Sequence, residues 1–200
     1  MRKLQAAGLL LAFITAGCAA AQAGEKPASP APGREIAKGK ETVLGLYLTA
    51  KEAYEKWKSH PGKVKILDVR TPEEYLFVGH PEMAYHVPLA FQTYRWDAEK
   101  RRLPMKANPD FVSQVKEVAG PADTILVICR SGGRSAQAVN RLAEAGFKKV
   151  YSIIDGMEGD VVEDPGSVFQ GQRMKNGWKN SGLPYTYEPD PARMKLPAAP

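Results

Sequence analysis

The stretch Thr124-Ile125-Leu126-Val127-Ile128-Cys129-Arg130-Ser131-Gly132-Gly133-Arg134-Ser135 decides how this chain is read. Thr124 to Ile128 is apolar without alternation, the pattern of a strand buried on both faces of a parallel sheet. Ser135 to Ala145 has helical character and is closed by Gly146. In an open parallel sheet, ligands bind beyond the carboxyl ends of the strands. Cys129 stands at that end. The adjacent Gly132 and Gly133 let the backbone curl so that the N–H groups of residues 130–134 point inward as an anion-holding nest. The following helix start adds positive potential at the same spot. Beside Arg130 and Arg134, such a position favours the thiolate, the nucleophilic form of cysteine. A lone cysteine at a strand end is ordinarily a small buried hydrophobe. The glycines, the arginines and the helix start together outweigh that reading.

Outward from this stretch, the same grammar repeats. Val43 to Leu48 reads as a short strand, and Thr49-Ala50-Lys51-Glu52 is a capping box that opens a helix running through Lys58. Ser59-His60-Pro61-Gly62 ends it. Val64 to Val69 is a β-branched strand. Thr71-Pro72-Glu73-Glu74 supplies a cap, a proline at the first helical position and acid in the first turn, so a short helix begins there. His86 to Leu89 reads as a short strand. Asn108-Pro109 is expected to cap a helix with Phe111, Val112, Val115 and Val118 on one stripe, and Lys149 to Ile153 is a further strand. Strands separated by helices predict an α/β fold, a central parallel sheet flanked by helices on both faces. No internal repeat is present.

Composition narrows the function. The 200 residues hold one domain with tails. Hydrophobic residues at 44% and charged residues at 25% exclude a wholly disordered chain and a multi-span membrane protein. The net charge of +6 is spread along the chain, so it suits small anionic compounds and gives no ground for a nucleic-acid partner. Lys100-Arg101-Arg102 is the densest basic run and reads as a solvated loop. His60, His80 and His86 lack metal-ligand spacing, so no metal is expected. No P-loop or dinucleotide fingerprint occurs, so no cofactor is implied.

The first segment reads as an address. Arg2 and Lys3 precede an apolar centre, Leu9 to Ile14, and Ala21-Gln22-Ala23 is a cleavage pattern. That makes residues 1–23 a signal peptide. The alternative is a lipoprotein leader over 1–17, because Thr15-Ala16-Gly17-Cys18 resembles a lipobox with Cys18 as the lipidated residue. Either way the protein is expected in the periplasm or elsewhere outside the cytoplasm, touching membrane only through an anchor at Cys18. With Cys18 consumed in the leader, Cys129 has no thiol partner for a disulfide. Residues 24–40 are rich in Pro and Ala and read as a linker. The domain is expected over 41–187, with a Pro-rich flexible tail at 188–200.

Three segments carry a resemblance to a known family. Ile66-Leu67-Asp68-Val69-Arg70-Thr71-Pro72-Glu73-Glu74-Tyr75, with Gly79-His80 and Val87-Pro88-Leu89, resembles the first signature of the rhodanese domain. Val127-Ile128-Cys129-Arg130-Ser131-Gly132-Gly133-Arg134-Ser135-Ala136 is similar to its active-site loop. Gly146 to Tyr151 and Asp155-Gly156-Met157 resemble its closing segment. The likeness covers about residues 43–160. It implies a rhodanese-like fold and sulfurtransferase chemistry, with a Cys129 persulfide carrying sulfur from a donor such as thiosulfate or polysulfide to a thiophilic acceptor. The loop residues Arg130, Ser131, Gly132, Gly133, Arg134 and Ser135 would bind substrate. Arg134 is favoured over Arg130 as the guanidinium fork for an oxyanion. Asp68 and Arg70 would brace the site as a charge-assisted pair. An alternative function is a sulfur or selenium carrier that presents a persulfide to a redox partner or sulfur-acceptor protein, with little turnover on thiosulfate.

Loop length argues against phosphate chemistry. Cysteine phosphatases place five residues between Cys and Arg, whereas four separate Cys129 from Arg134, a ring suited to sulfur. The chain departs from the family pattern in three places. Pro81-Glu82-Met83-Ala84 follows Gly79-His80 where Ile-Pro-Gly-Ala is usual. Residues 91–107, with Tyr94 and Trp96, are an insertion expected to wall the pocket, dock an acceptor or simply pack on the surface. Residues 161–175 read as a second insertion, with Trp178 as a delayed core anchor.

Overall fold

The computed structural model describes residues 35–196. The expected leader over 1–23 (or 1–17 with Cys18), most of the 24–40 linker and the last four residues of the tail lie outside the described residues. Along the chain run β1 (Tyr47–Leu48), α1 (Ala50–Ser59), β2 (Val64–Asp68), α2 (Pro72–Val78), β3 (Tyr85–His86) and β4 (Ala90–Gln92). They are followed by β5 (Met105–Ala107), α3 (Phe111–Val118), β6 (Thr124–Ile128), α4 (Gly133–Glu144) and β7 (Val150–Ile153). Five strands form one sheet in the order β1-β7-β6-β2-β3, every neighbour parallel. The apolar run that opens the quoted stretch is the central strand.

Alternation along each strand splits the core in two. Leu67, Ile125, Val127, Cys129 and Val150 face α3 and α4, meeting Phe111, Val115, Ala138 and Leu142. Ile66, Leu126, Ile128, Tyr151 and Ile153 face the other way, against Ala50 and Ala53 of α1 and against Trp178. Trp178 is fully buried, packs edge-on to Tyr54 at 5.8 Å and donates its indole N–H to the Pro184 carbonyl (2.8 Å). The delayed tryptophan thus closes the core on the α1 face.

Several boundaries differ from the sequence-based expectation. The first strand shrinks to Tyr47–Leu48, because Gly45 turns the chain at φ +62° just before it. Of the expected strand over His86–Leu89 only His86 is in a strand: Tyr85–His86 joins the sheet, and the next strand, Ala90–Gln92, pairs with β5 as an antiparallel hairpin. Asn108 does not cap α3. Asp110 holds that position without a side-chain bond, while Asn108 is buried and donates to the Pro88 carbonyl (2.8 Å) and the Gln114 side chain (2.9 Å). The tail is also corrected where it is described, since residues 190–195 do not trail free. Met194 bridges to His86, the Lys195 N–H donates to the His86 carbonyl (2.8 Å), and Arg193 donates to the Met83 carbonyl (2.9 Å). The tail thereby covers the open edge of β3, whose backbone groups would otherwise stay unpaired.

Candidate active site

Two strands and two helices meet at the carboxyl edge of the sheet. β2 ends at Asp68 beside the end of β6 at Ile128, in register. Each strand feeds a helix: α2 after β2, α4 after β6. The loop from Cys129 to Gly132 is clasped from below by the closing segment. Met157 N–H donates to the Cys129 carbonyl (2.8 Å), and Glu158 N–H donates to the Arg130 carbonyl (2.9 Å). Gly156 permits that approach, because a Cβ there would sit 2.6 Å from the Cys129 carbonyl oxygen.

α4 begins two residues earlier than the expected Ser135, inside the glycine pair. Gly132 is its N-cap, at φ +99° and with no side-chain cap. A side chain there would stand 2.3 Å from the Ile154 carbonyl. The Gly132 N–H donates to the Cys129 sulfur at 3.1 Å. Cys129 is almost wholly buried and belongs to the wall of a cavity of about 210 Å³ lined also by Glu74, Met105, Arg130, Ser131, Gly133 and Arg134. Arg130 is exposed at its rim, and Ser131 and Gly133 are half-buried in its wall. Ser135 is fully buried; its Oγ has no hydrogen-bond partner and it does not line the cavity.

Arg134 lines the cavity beside Cys129, where it was expected, and it is also tied to α2. Both terminal nitrogens of its guanidinium are engaged by the Glu74 carboxylate at 2.5 Å each. Burial works against charge on both groups, yet each holds its partner ionised: the Glu74 carboxyl is lowered below the usual carboxylate range, and the Arg134 guanidinium is held more firmly protonated. In the sequence Glu74 reads only as acid in the first turn of α2 and as one residue of the first signature segment. In the structure it completes a capping box, its side chain accepting from the Thr71 N–H (3.1 Å) while Thr71 Oγ accepts from the Glu74 N–H (3.3 Å). Nothing in the sequence joins it to a residue sixty positions on. Met105 belongs to the 91–107 insertion, for which walling the pocket was one expectation, but the sequence did not single it out.

Asp68 and Arg70 pair with each other below the cavity, both fully buried, with Arg70 Nη2 2.6 Å from Asp68 Oδ2 and Arg70 Nε 3.0 Å from Oδ1. Arg70 also donates to the Gly79 carbonyl (2.8 Å) and the Glu74 carbonyl (3.4 Å), tying both ends of α2 to the end of β2. Burial raises the Asp68 carboxyl, but the Arg70 charge outweighs it and the group is held low. His86 Nε2 reaches the Arg70 carbonyl at 2.9 Å, and Tyr75 is stacked between His80 (3.6 Å) and His86 (4.2 Å). Burial pushes both imidazoles toward the neutral form.

Comparison with known proteins bears on the same segment. A chloroplastic protein of Arabidopsis thaliana, Thiosulfate sulfurtransferase 16, is 41% identical over 92 residues, covering 46% of this chain and 69% of that one. The Uncharacterized protein RP600 of Rickettsia prowazekii is 31% identical over 122 residues, 61% of this chain and 82% of that one. The crystal structure of Rv0390 from M. tuberculosis superposes with a TM-score of 0.56 at 26% identity, over 70% of this chain and 96% of that one. The model of the Rhodanese-like domain matches residues 49–161, which run from the cap of α1 to just past the segment that clasps the cysteine loop. On that match this chain belongs to the rhodanese-like domain family.

Proposed function

We propose that the protein is a sulfurtransferase that carries sulfane sulfur on Cys129 from an anionic donor, thiosulfate or a polysulfide, to a thiophilic acceptor. The observation that carries this reading is the Gly132 N–H directed at the Cys129 sulfur from an uncapped helix start, at the wall of a small cavity. The cysteine thiolate attacks the outer sulfur of thiosulfate, the S–S bond of the donor breaks, and sulfite leaves with the bonding pair. The outer sulfur of the Cys129 persulfide is then attacked by the acceptor, and the Cys129 thiolate is released. Main-chain amides and the helix end stabilise the anionic persulfide. With Arg134 held by Glu74, Arg130 at the rim is the guanidinium left to meet the donor's oxyanion. The Arg134–Glu74 pair fixes the wall between the two helix starts. The leader sequence supports an extracytoplasmic setting, free or anchored at Cys18, which the mass of the mature N-terminus distinguishes.

The test is thiosulfate:cyanide transfer by the purified protein against Cys129→Ser. Wild type is expected to turn over and to gain the mass of one sulfur atom on Cys129 when cyanide is withheld. The variant is expected to lose about 10⁴-fold or more, as removal of a nucleophile does. Turnover that survives in Cys129→Ser overturns the proposal. A stable sulfur adduct with negligible turnover favours the carrier reading instead.

A further inference from the structure

Of the hairpin insertion, Met105 is the residue that lines the cavity at Cys129. β4 and β5 form its stem, and residues 93–104 extend beyond it with Tyr94 at 78% and Trp96 at 63% exposure. The Tyr94 hydroxyl donates to Glu73 Oε1 at 2.5 Å, which seats the hairpin on α2. Phe77 lies one helical turn beyond Glu73 and is 82% exposed, so the aromatic surface continues onto the helix. Met105, itself half-exposed, belongs to the cavity wall and makes that surface continuous with the mouth of the site.

Charge on the hairpin is one-sided. Arg95, Lys100, Arg101, Arg102 and Lys106 are all exposed, against two acids, Asp97 and Glu99. Among the described residues none of the five basic side chains has an ion-pair partner. The two cations of the cavity wall add to the same field, with only Arg134 neutralised by Glu74. Exposed aromatics interleaved with arginines are the composition of a protein-binding surface, and unpaired positive charge selects and steers a negative partner.

We propose that the 90–107 hairpin is the docking surface for the sulfur acceptor, an acidic protein segment that carries a cysteine. The proposal rests on the sulfurtransferase reading above for its chemistry. The docked acceptor's thiolate attacks the outer sulfur of the Cys129 persulfide. A new S–S bond forms on the acceptor, the Cys129 S–S bond breaks, and the bonding pair returns to Cys129 as thiolate. The acceptor's thiol proton has gone to solvent before the attack, so no oxidant or reductant is needed. An anionic lipid surface would meet the same charges but would lie across the cavity mouth that Met105 shares.

The full chain, loaded with persulfide, is offered three cysteine peptides of equal length, one strongly acidic, one neutral and one strongly basic. Transfer to the acidic peptide is expected to exceed the neutral one by about tenfold at low salt. The gap should close toward 1 M salt, where screening acts over ~3 Å. The combined K100E, R101E, R102E variant should abolish it while leaving transfer to cyanide unchanged. A labelled acidic peptide with serine for cysteine, followed by fluorescence anisotropy, reads docking without sulfur chemistry, and its binding should vanish in the same variant. Equal transfer and equal binding across the three charges overturn the proposal, as does a preference that the triple variant leaves intact. Hairpin-dependent binding to phosphatidylglycerol vesicles without binding of the acidic peptide assigns the surface to lipid and overturns it too. If Cys129 cannot be loaded but the serine peptide binds through the hairpin, the docking surface stands and the sulfurtransferase reading falls.

Discussion

α2 and α4 start side by side at the same edge of the sheet, and they use their first amides in opposite ways. α2 is sealed by its own side chains: Thr71 and Glu74 form a reciprocal capping box. α4 has no side-chain cap; its N-cap is a left-handed glycine whose N–H points at a sulfur atom. Helix starts leave four N–H groups without intrahelical partners. Where the chain fills them itself, as in α2, the end contributes stability. Where it withholds a cap, as in α4, the end remains available to an anion. The Glu74–Arg134 pair spans the two, so the sealed end holds the open one in place.

The largest loss is expected beneath the two helix starts. Arg70→Ala leaves the Asp68 carboxylate buried and unpaired and frees both ends of α2, with an expected loss of about 3–5 kcal/mol in urea unfolding. A small loss there would mean that α2 is not held through Arg70. Gly132→Ala attacks the open end. The positive φ and the contact with Ile154 should cost about 1–3 kcal/mol, and sulfur loading of Cys129 should fail even in the folded fraction. Normal loading would show that the Gly132 amide is not what holds the sulfur. Thr71→Ala removes only the cap of the sealed end, for about 1 kcal/mol, with KM for thiosulfate unchanged if the two ends divide the labour as described.

The smallest effect is a pH dependence that sharpens the account of the sealed side. His80 and His86 are held neutral in the folded protein by burial, so their folded values lie below the unfolded one near 6.5. Only well above that value, by about pH 8, are they neutral in both states and without slope. As the pH falls below that, the unfolded chain takes up protons that the folded one resists, and stability should decline. Asp68 and Glu74, both held low, add a further loss only as the pH drops below about 4. A urea midpoint that stays flat from pH 7 to about pH 5 would contradict the buried imidazoles.

The parallel sheet, the Thr49–Glu52 capping box, the cap, proline and acid that open α2, the central strand and the cysteine loop were legible in the sequence because each rests on neighbours in the chain. Apolar runs, Thr-x-x-Glu spacing and a glycine pair after a strand are local signals, and short-range sterics and hydrogen bonds enforce them. The tertiary structure alone decided that Arg134 is ion-paired. In the sequence Arg134 reads as an anion fork, and the pairing of β2 with β6 is what sets Glu74 against it. Tertiary contacts likewise decided that the tail covers β3 and that Met105 reaches the cavity. Those contacts join residues far apart in the chain, and their free energy depends on a geometry that exists only once the sheet has assembled.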